Sequence, residues 1–265
     1  MSILSNAADV LRCFSAHRLE LSLTEVTGLL GMPKSNASRL LRAMRDAGFL
    51  EQVPGTRRYR AGLLMFEMGH TYRRGSPLLS QAHAAVSRIS RDCGHTGYVS
   101  IRDGRDVMGL TYHEGSQLLR VGTPIGERLS AAATATGRSL LARLGDEAVR
   151  ALFPGPLQPP SPNSPRDMEE LLARLARIRE RGFEIAHHEA NPGIDSLATA
   201  LGDPASGEEV SLCIVYPSAI VTEAERDDIL AAMLREARAI AALLGDPGTA
   251  APPSPTPPAP ARDAA

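Results

Sequence analysis

The chain has 265 residues, enough for two compact domains, and a hydrophobic content of 43% that supports packed cores. No apolar run approaches the roughly 18 residues a membrane-spanning helix requires, and the opening MSILSNAADVLRCF lacks a basic leader followed by an apolar stretch. The formal net charge of -1 hides an asymmetry: residues 1–75 hold 11 Lys+Arg against 6 Asp+Glu, leaving 18 against 24 for residues 76–265. A basic block ahead of an acidic body points to a polyanion as partner of the first part only. Arginine supplies nearly all of the positive charge, and Lys34 is the sole lysine. Cys13, Cys93 and Cys213 are scattered and odd in number, with no metal-type spacing, which suits a reduced protein of the cytoplasm.

The first helix is predicted over Asn6–Ala16, with Ala7, Val10, Leu11 and Phe14 on one face. Ser22 and Glu25 form a capping box for a second helix that stops at Gly31. Pro33 suits the first position of a third helix, Lys34–Ala47, which buries Ala37, Leu40, Leu41 and Met44 and ends at Gly48. Phe49–Val53, a Pro54-Gly55 turn and Arg57–Arg60 read as a hairpin. Three helices followed by a hairpin is the order of a winged helix-turn-helix, placed at residues 1–62. A linker helix at 63–78 follows, with a boundary near Gly75-Ser76-Pro77.

Beyond it a second domain, 79–245, is expected to run α-βββ-αα-α-βββ-α. Its elements are a helix from Leu79 to Gly94, strands at Thr96–Ile101 and Asp106–Tyr112, and a third strand near Gln117–Val121. Helices at Thr134–Leu144 and Asp146–Phe153 come next, then a Pro-rich surface loop over Pro154–Pro165. A helix capped by Asp167 runs to Arg181. Strands at Phe183–His188, Ser196–Leu201 and Glu209–Tyr216 precede a final helix, Thr222–Leu244, with its own capping box. Hairpin-joined strands argue for an antiparallel α+β sheet covered by helices. Residues 246–265 are too poor in large apolar groups to fold and read as a disordered tail.

A major groove about 12 Å wide admits one helix, whose first turns reach base edges. On the third helix Ser35, Ser38, Arg39 and Arg42 share a stripe opposite Leu40 and Leu41, flanked by Asn36. Arg can grip guanine, Asn can read adenine, and Ser serves phosphate or base. Lys34 sits where helix amides already favour phosphate. Arg57 and Arg58 lie in the wing, within reach of a flanking phosphate or the minor groove. Ser22 at the preceding helix start completes this set of DNA-contact candidates. The partner is a double-stranded operator, palindromic or repeated if the protein is a dimer. A winged helix that binds protein instead is the rival reading, and it predicts no salt-dependent DNA affinity.

These residues resemble the isocitrate lyase regulator (IclR) family. The likeness starts in Leu21-Ser22-Leu23-Thr24-Glu25-Val26, Gly31-Met32-Pro33-Lys34-Ser35-Asn36-Ala37-Ser38-Arg39-Leu40-Leu41 and Gly48-Phe49-Leu50. It continues in Ala133-Thr134-Ala135-Thr136-Gly137-Arg138-Ser139-Leu140-Leu141-Ala142, similar to the family's ATA-x-GKALLA segment. Leu175–Phe183 and Glu189–Ile194 are similar to its second signature region, so the resemblance spans roughly residues 5–245. It implies a C-terminal GAF-like effector domain, homodimers or homotetramers, and control of genes for catabolism of small organic acids or aromatic carboxylates. The implied effector pocket lies beside the sheet, at Tyr98, Ser100, Thr134, Ala135, Thr136, Gly137, Ser196, Cys213 and Val215. There the helix start offers N–H groups and a positive dipole end to a carboxylate. Ser196 stands where the family usually has Cys, Cys213 and Val215 where alternating serines are frequent, and Arg138 where Lys is usual. That last change is conservative only for an exposed side chain.

No cofactor, metal or catalytic constellation is expected. Adjacent His187 and His188 on a strand point to opposite faces and cannot share a metal directly. Cys93-Gly94-His95 reads as a helix-end turn. HExxH, paired-Cys, phosphate-loop, GxGxxG and GxSxG motifs are all missing. Asp227-Asp228 and Glu169-Glu170 read as helix surface. An enzyme is therefore not the expectation.

Overall fold

The computed structural model describes residues 2–15, 17–118, 122 and 124–248. The chain divides into two compact units, the first reaching Ser80 and including residues 124–127, the second holding the remainder.

The first unit contains α1 (Ile3–Arg12), β1 (Glu20–Ser22), α2 (Leu23–Leu30), α3 (Lys34–Asp46), β2 (Leu50–Gln52), β3 (Arg58–Ala61) and α4 (Leu63–Arg74). α1 starts earlier than its apolar spacing predicts, because the Ser2 hydroxyl accepts from the Ser5 amide at 3.1 Å. β1 has no signal of its own: three residues are too few to show alternation, and only pairing with β3 makes them a strand, with Leu21 opposite Tyr59. Strand order is β1-β3-β2, all antiparallel. The hairpin forms where expected, turning at Gly55 in the left-handed region (φ 73°). The Ser22–Glu25 capping box closes as predicted, and Gly31 ends α2 at φ 61°. Val10, Val26, Leu40, Leu41, Met44 and Leu50 are buried together, so the apolar side of α3 is pinned and its polar side faces outward. A β-carbon at Gly62 would overlap the Gly48 carbonyl, so the wing can rejoin the helices only through glycine there.

The second unit is built on a six-stranded antiparallel sheet of order β6-β5-β4-β9-β8-β7. Its strands are β4 (Thr96–Asp103), β5 (Asp106–His113), β6 (Arg128–Ser130), β7 (Glu184–His187), β8 (Ile194–Asp203) and β9 (Glu208–Pro217). Its helices are α5 (Pro77–Cys93, which begins in the first unit), α6 (Ala135–Leu141), α7 (Asp146–Leu152), α8 (Met168–Arg181) and α9 (Glu223–Leu244). Cross-strand pairing sets one face. Tyr98 lies opposite Cys213 and Ser100 opposite Ser211; Ser196 lies opposite Val215 and Ala198 opposite Cys213. α6 covers this face and α8 packs on α6. α9 packs on β8 and β9, and Gly97 of β4 faces Val86 of α5 with no room for a β-carbon.

Two expectations are corrected. The third strand of the first triplet is β6, paired with Asp106–Met108; Gln117 and Leu118 sit in bends, and 119–121 lie outside the described residues. Nor does the chain leave the fold at Asp246. That residue is buried, and its carboxylate accepts from Arg143 at 2.9 and 3.0 Å and from the Gly202 amide at 2.6 Å. Composition hides this anchor because one charged residue in a Pro/Ala stretch carries no periodicity; the rest of the predicted tail, from residue 249, lies outside the described residues.

Candidate nucleic-acid interface and effector pocket

In the first unit α3 presents Lys34, Ser35, Asn36, Arg39 and Arg42 to solvent, with Ser38 half-buried. Pro33 precedes the helix and no side chain caps it, so the amides of Lys34 and Ser35 stay open at the positive end of the helix dipole. Arg39 Nη2 donates to Asn36 Oδ1 at 2.8 Å, which holds these two side chains as one unit. Arg42 Nε donates to the Ser38 carbonyl at 3.3 Å. Arg57 is exposed at the wing tip and makes no hydrogen bond or ion pair among the described residues.

Two of the nine candidates are committed elsewhere. The Ser22 hydroxyl accepts from the Glu25 amide at 3.3 Å while the Ser22 amide donates to Glu25 Oε2 at 2.7 Å. Arg58 Nη2 donates to Glu25 Oε1 at 3.1 Å and to the Glu20 carbonyl at 2.9 Å. Together Ser22 and then Arg58 hold the Glu25 carboxyl down at about 2. Arg58 therefore fastens β3 to the start of α2, and the wing's free cation is Arg57. The sequence does not separate adjacent arginines; the fold does, because Arg58 opens β3 beside Glu20 and Glu25 while Arg57 stays in the bend before it.

In the second unit the sheet face under α6 brings together Tyr98, Ala135 and Cys213, with Val215 packed against them and Ala186 and Ala198 filling the floor. Ser196 and Thr136 are half-exposed at its margin. The Cys213 thiol, pushed up to about 11 by burial, hydrogen-bonds the Thr136 side chain. Ser100 lies one rung further along, opposite Ser211, whose hydroxyl is 2.9 Å from that of Ser139.

Within the predicted Thr134–Gly137 cradle the roles divide. Thr134 Oγ1 accepts from the Gly137 amide at 3.0 Å, so that N–H is spent on the cap. Gly137 instead lies against the Ala131 backbone, where no β-carbon fits. The amides of Ala135 and Thr136 remain without partners among the described residues.

Sequence reasoning missed the charged node behind this helix. Arg138 is fully buried. It donates through Nε to Glu184 at 2.8 Å, through Nη1 and Nη2 to Glu189 at 2.6 and 2.9 Å, and to the Ala132 carbonyl at 3.0 Å. Burial pushes the Glu189 carboxyl up, against the pull of Arg138 and of Arg174, whose Nη1 is 3.0 Å away. Replacing Lys by Arg here is not a surface exchange: the planar fork engages two carboxylates and a carbonyl at once. The one available hint was an arginine set inside the small and apolar run Ala135–Ala142.

The two histidines also differ from expectation. His188 has φ 54°, which breaks strand alternation and brings both rings to Asp195: His187 Nδ1 is 2.7 Å from Oδ2 and His188 Nε2 is 3.8 Å from Oδ1. Among the described residues no group of three or more His, Cys, Asp or Glu side chains is arranged to hold a metal.

Comparison with known proteins decides what this pairing of units is. Residues 3–54 match the IclR helix-turn-helix domain, and residues 70–242 match the bacterial transcriptional regulator IclR C-terminal domain. The chain belongs to the IclR family. It is 28% identical over 242 residues to the HTH-type transcriptional regulator XynR of Escherichia coli K12, covering 91% of this chain and 96% of that protein. It is 29% identical to the HTH-type transcriptional repressor AllR of Salmonella typhi, over 76% of this chain and 75% of that one. Among solved structures, an IclR transcriptional regulator from Silicibacter sp. TM1040 superposes with a TM-score of 0.82 at 26% identity, covering 95% and 98% of the two chains. An IclR homologue from Microbacterium hydrocarbonoxydans, solved in complex with 4-hydroxybenzoate, shares the fold with a TM-score of 0.79 at 21% identity, over 92% and 99%.

As an IclR-family protein this chain is a DNA-binding transcriptional regulator with an effector domain, and not an enzyme. Among its described residues no helix is long and apolar enough to cross a membrane.

Proposed function

We propose that this IclR-family regulator works as a dimer, or a pair of dimers, that reads a repeated operator through α3 and senses a small organic acid or aromatic carboxylate on the sheet face under α6. The observation that carries the reading is that face. Tyr98, Ala135, Cys213 and Val215 supply an apolar lining, Thr136 and Ser196 add hydroxyls at its half-exposed margin, and the open amides of Ala135 and Thr136 suit a carboxylate. The bound 4-hydroxybenzoate of the Microbacterium homologue, an aromatic ring with one carboxylate, is a ligand of this chemistry. Regulated genes are then those that break such acids down.

Dimerisation is supported by α4, which buries none of its residues and leaves Leu63, Phe66, Met68 and Tyr72 half or more exposed. Base reading falls to Ser35, Asn36, Ser38 and Arg39; Lys34, Arg42 and Arg57 hold phosphate. Effector binding favours one of two arrangements of the paired winged helices, with α4 as the connecting element.

The test couples two measurements on the intact protein. Binding to its own upstream DNA is followed by fluorescence anisotropy, and unfolding temperature is followed across a panel of aliphatic and aromatic carboxylates. A ligand that prefers the fold raises the midpoint and shifts DNA affinity. Weak binding indifferent to DNA sequence and unchanged by Arg39→Ala would sink the operator reading; a panel with no stabilising acid would sink the effector class.

A further inference from the structure

The second unit carries a groove that neither DNA reading nor effector binding uses. It lies between α8 and β7, encloses about 910 Å³, and is lined by Asn163, Arg166, Arg174, Arg177, Arg181 and Ile185, among others. The residues 76–265 around it are acidic overall, yet the groove is not.

Its floor and walls hold four arginines and three glutamates, a fifth arginine, Arg138, lies buried behind them, and every glutamate is already occupied. Glu189 takes Arg138 and Arg174. Glu184 takes Arg138 and Arg181. Glu170 takes Arg166 and Arg174. Arg177 is exposed and has no acidic partner among the described residues. Elsewhere on this unit several surface arginines are matched, as in Arg88–Glu236, Arg128–Asp103, Arg150–Glu169 and Arg179–Asp146. With Arg138 behind it, the groove therefore keeps a surplus of two positive charges that none of its glutamates neutralises.

The second observation is independent of charge. β7 ends the sheet, and its backbone alternates. The His187 carbonyl points away from β8, since Asn163 Nδ2 donates to it at 3.1 Å, whereas the neighbouring His188 amide points inward, to the Ile194 carbonyl at 3.0 Å. Ile185, two residues before His187, turns its N–H and C=O outward in the same sense, into the groove, where no strand pairs with them. Glu184 and Ala186 face α8 and α6, so a strand added beside β7 directs every second side chain toward Arg174, Arg177 and Arg181.

We infer that this groove docks an extended acidic segment of a partner protein, added as a strand to β7 with carboxylates at alternate positions against the α8 arginines. Backbone pairing at Ile185 supplies the register, and the unpaired charge selects Asp and Glu. A small anion alone would use the charge and leave the strand edge and most of the groove's volume unused.

The experiment uses the full chain and a fluorescein-labelled eight-residue peptide of alternating Glu and Val, followed by anisotropy. Binding is expected to weaken about tenfold in Arg177→Glu, to be retained in Arg177→Lys, and to weaken comparably when alternate peptide amides are N-methylated. Because Arg177 is exposed and unpaired, both variants should unfold at the parent temperature, which separates loss of docking from loss of fold. Equal affinity for the parent and N-methylated peptides overturns strand addition and leaves an anion patch. Unchanged affinity in Arg177→Glu, or equal binding of a Gln–Val peptide, overturns acidic recognition. Displacement of the peptide by inorganic polyphosphate together with insensitivity to N-methylation marks a polyphosphate or nucleic-acid surface and overturns the proposal as well.

Discussion

Arginine does opposite work in the two units. On α3 and at the wing tip Arg39, Arg42 and Arg57 stand in solvent with no carboxylate to satisfy them. On α6, in the turn after it and on α8, Arg138, Arg143 and Arg174 are buried or half-buried, and each grips two acidic groups. The same guanidinium fork is spare binding capacity in one place and internal bracing in the other. What differs is where the acids are: the first unit has few, and α3 has only Asp46, already held by Arg45. A composition count sees a basic block and an acidic body; the pairing narrows the cations of the first that are free for a polyanion to those on the exposed side of α3 and at the wing tip.

The sharpest way to break that contrast is Arg138→Ala. It leaves the buried Glu184 and Glu189 with only the part-exposed Arg181 and Arg174, and removal of one member of a buried ionic group costs about 3–5 kcal/mol. Urea unfolding should show that loss. Arg138→Lys keeps the charge but not the two-sided fork, so it should fall between parent and Ala. If Arg138→Ala unfolds like the parent, the bracing role fails.

The reverse substitution on the DNA side, Arg39→Ala, should leave stability unchanged and cost about 1–3 kcal/mol of specific affinity, read by anisotropy against cognate and scrambled duplexes. Loss of affinity equally on both would recast Arg39 as a phosphate contact.

The units also differ in how they meet acid. Burial holds His95 and His113 below their ordinary value of 6.5. The fold prefers these imidazoles neutral, so their contribution is complete above about pH 6.5 and declines as pH falls through their lowered values. In the first unit Glu25 is held at about 2 against an ordinary 4.5, and its contribution is complete above 4.5 and lost as pH falls toward 2. Hydrogen-exchange protection, corrected for intrinsic rates, should therefore weaken around β4 and β5 as pH falls below 6.5, before the α2 start is affected. Simultaneous loss in both places would contradict this assignment.

The smallest effect separates neighbours. Arg57→Ala should reduce the slope of log affinity against log salt by about one without changing stability. Arg58→Ala should leave the slope alone and lower stability by under about 1 kcal/mol, since its pair with Glu25 is solvent-exposed. Equal slopes for the two variants would return Arg58 to the DNA face.

Much of the fold was legible because it is local. The Ser22 and Thr222 capping boxes, the Asp167 cap and the glycine stops at Gly31 and Gly182 are short patterns with direct backbone consequences, and each forms. β1 and β6, three residues apiece, exist only through distant partners, so no window of sequence could show them. The site divides in the same way. Helical spacing exposed the α3 stripe, whereas the Arg138 node joins residues 46 and 51 positions apart that no periodicity links. Alternation misjudged His188 because one left-handed residue cancels it.

The exposed amine at the start of α3 has a practical consequence. Lys34 is the sole lysine of the chain, so an amine-reactive dye or biotin ester has one side-chain target, and it lies in the expected DNA footprint. Operator DNA should shield that amine from labelling, which makes acylation rate a footprint of one residue. Coupling the protein to a surface through amines would block the face whose binding is to be measured, so immobilisation calls for another chemistry.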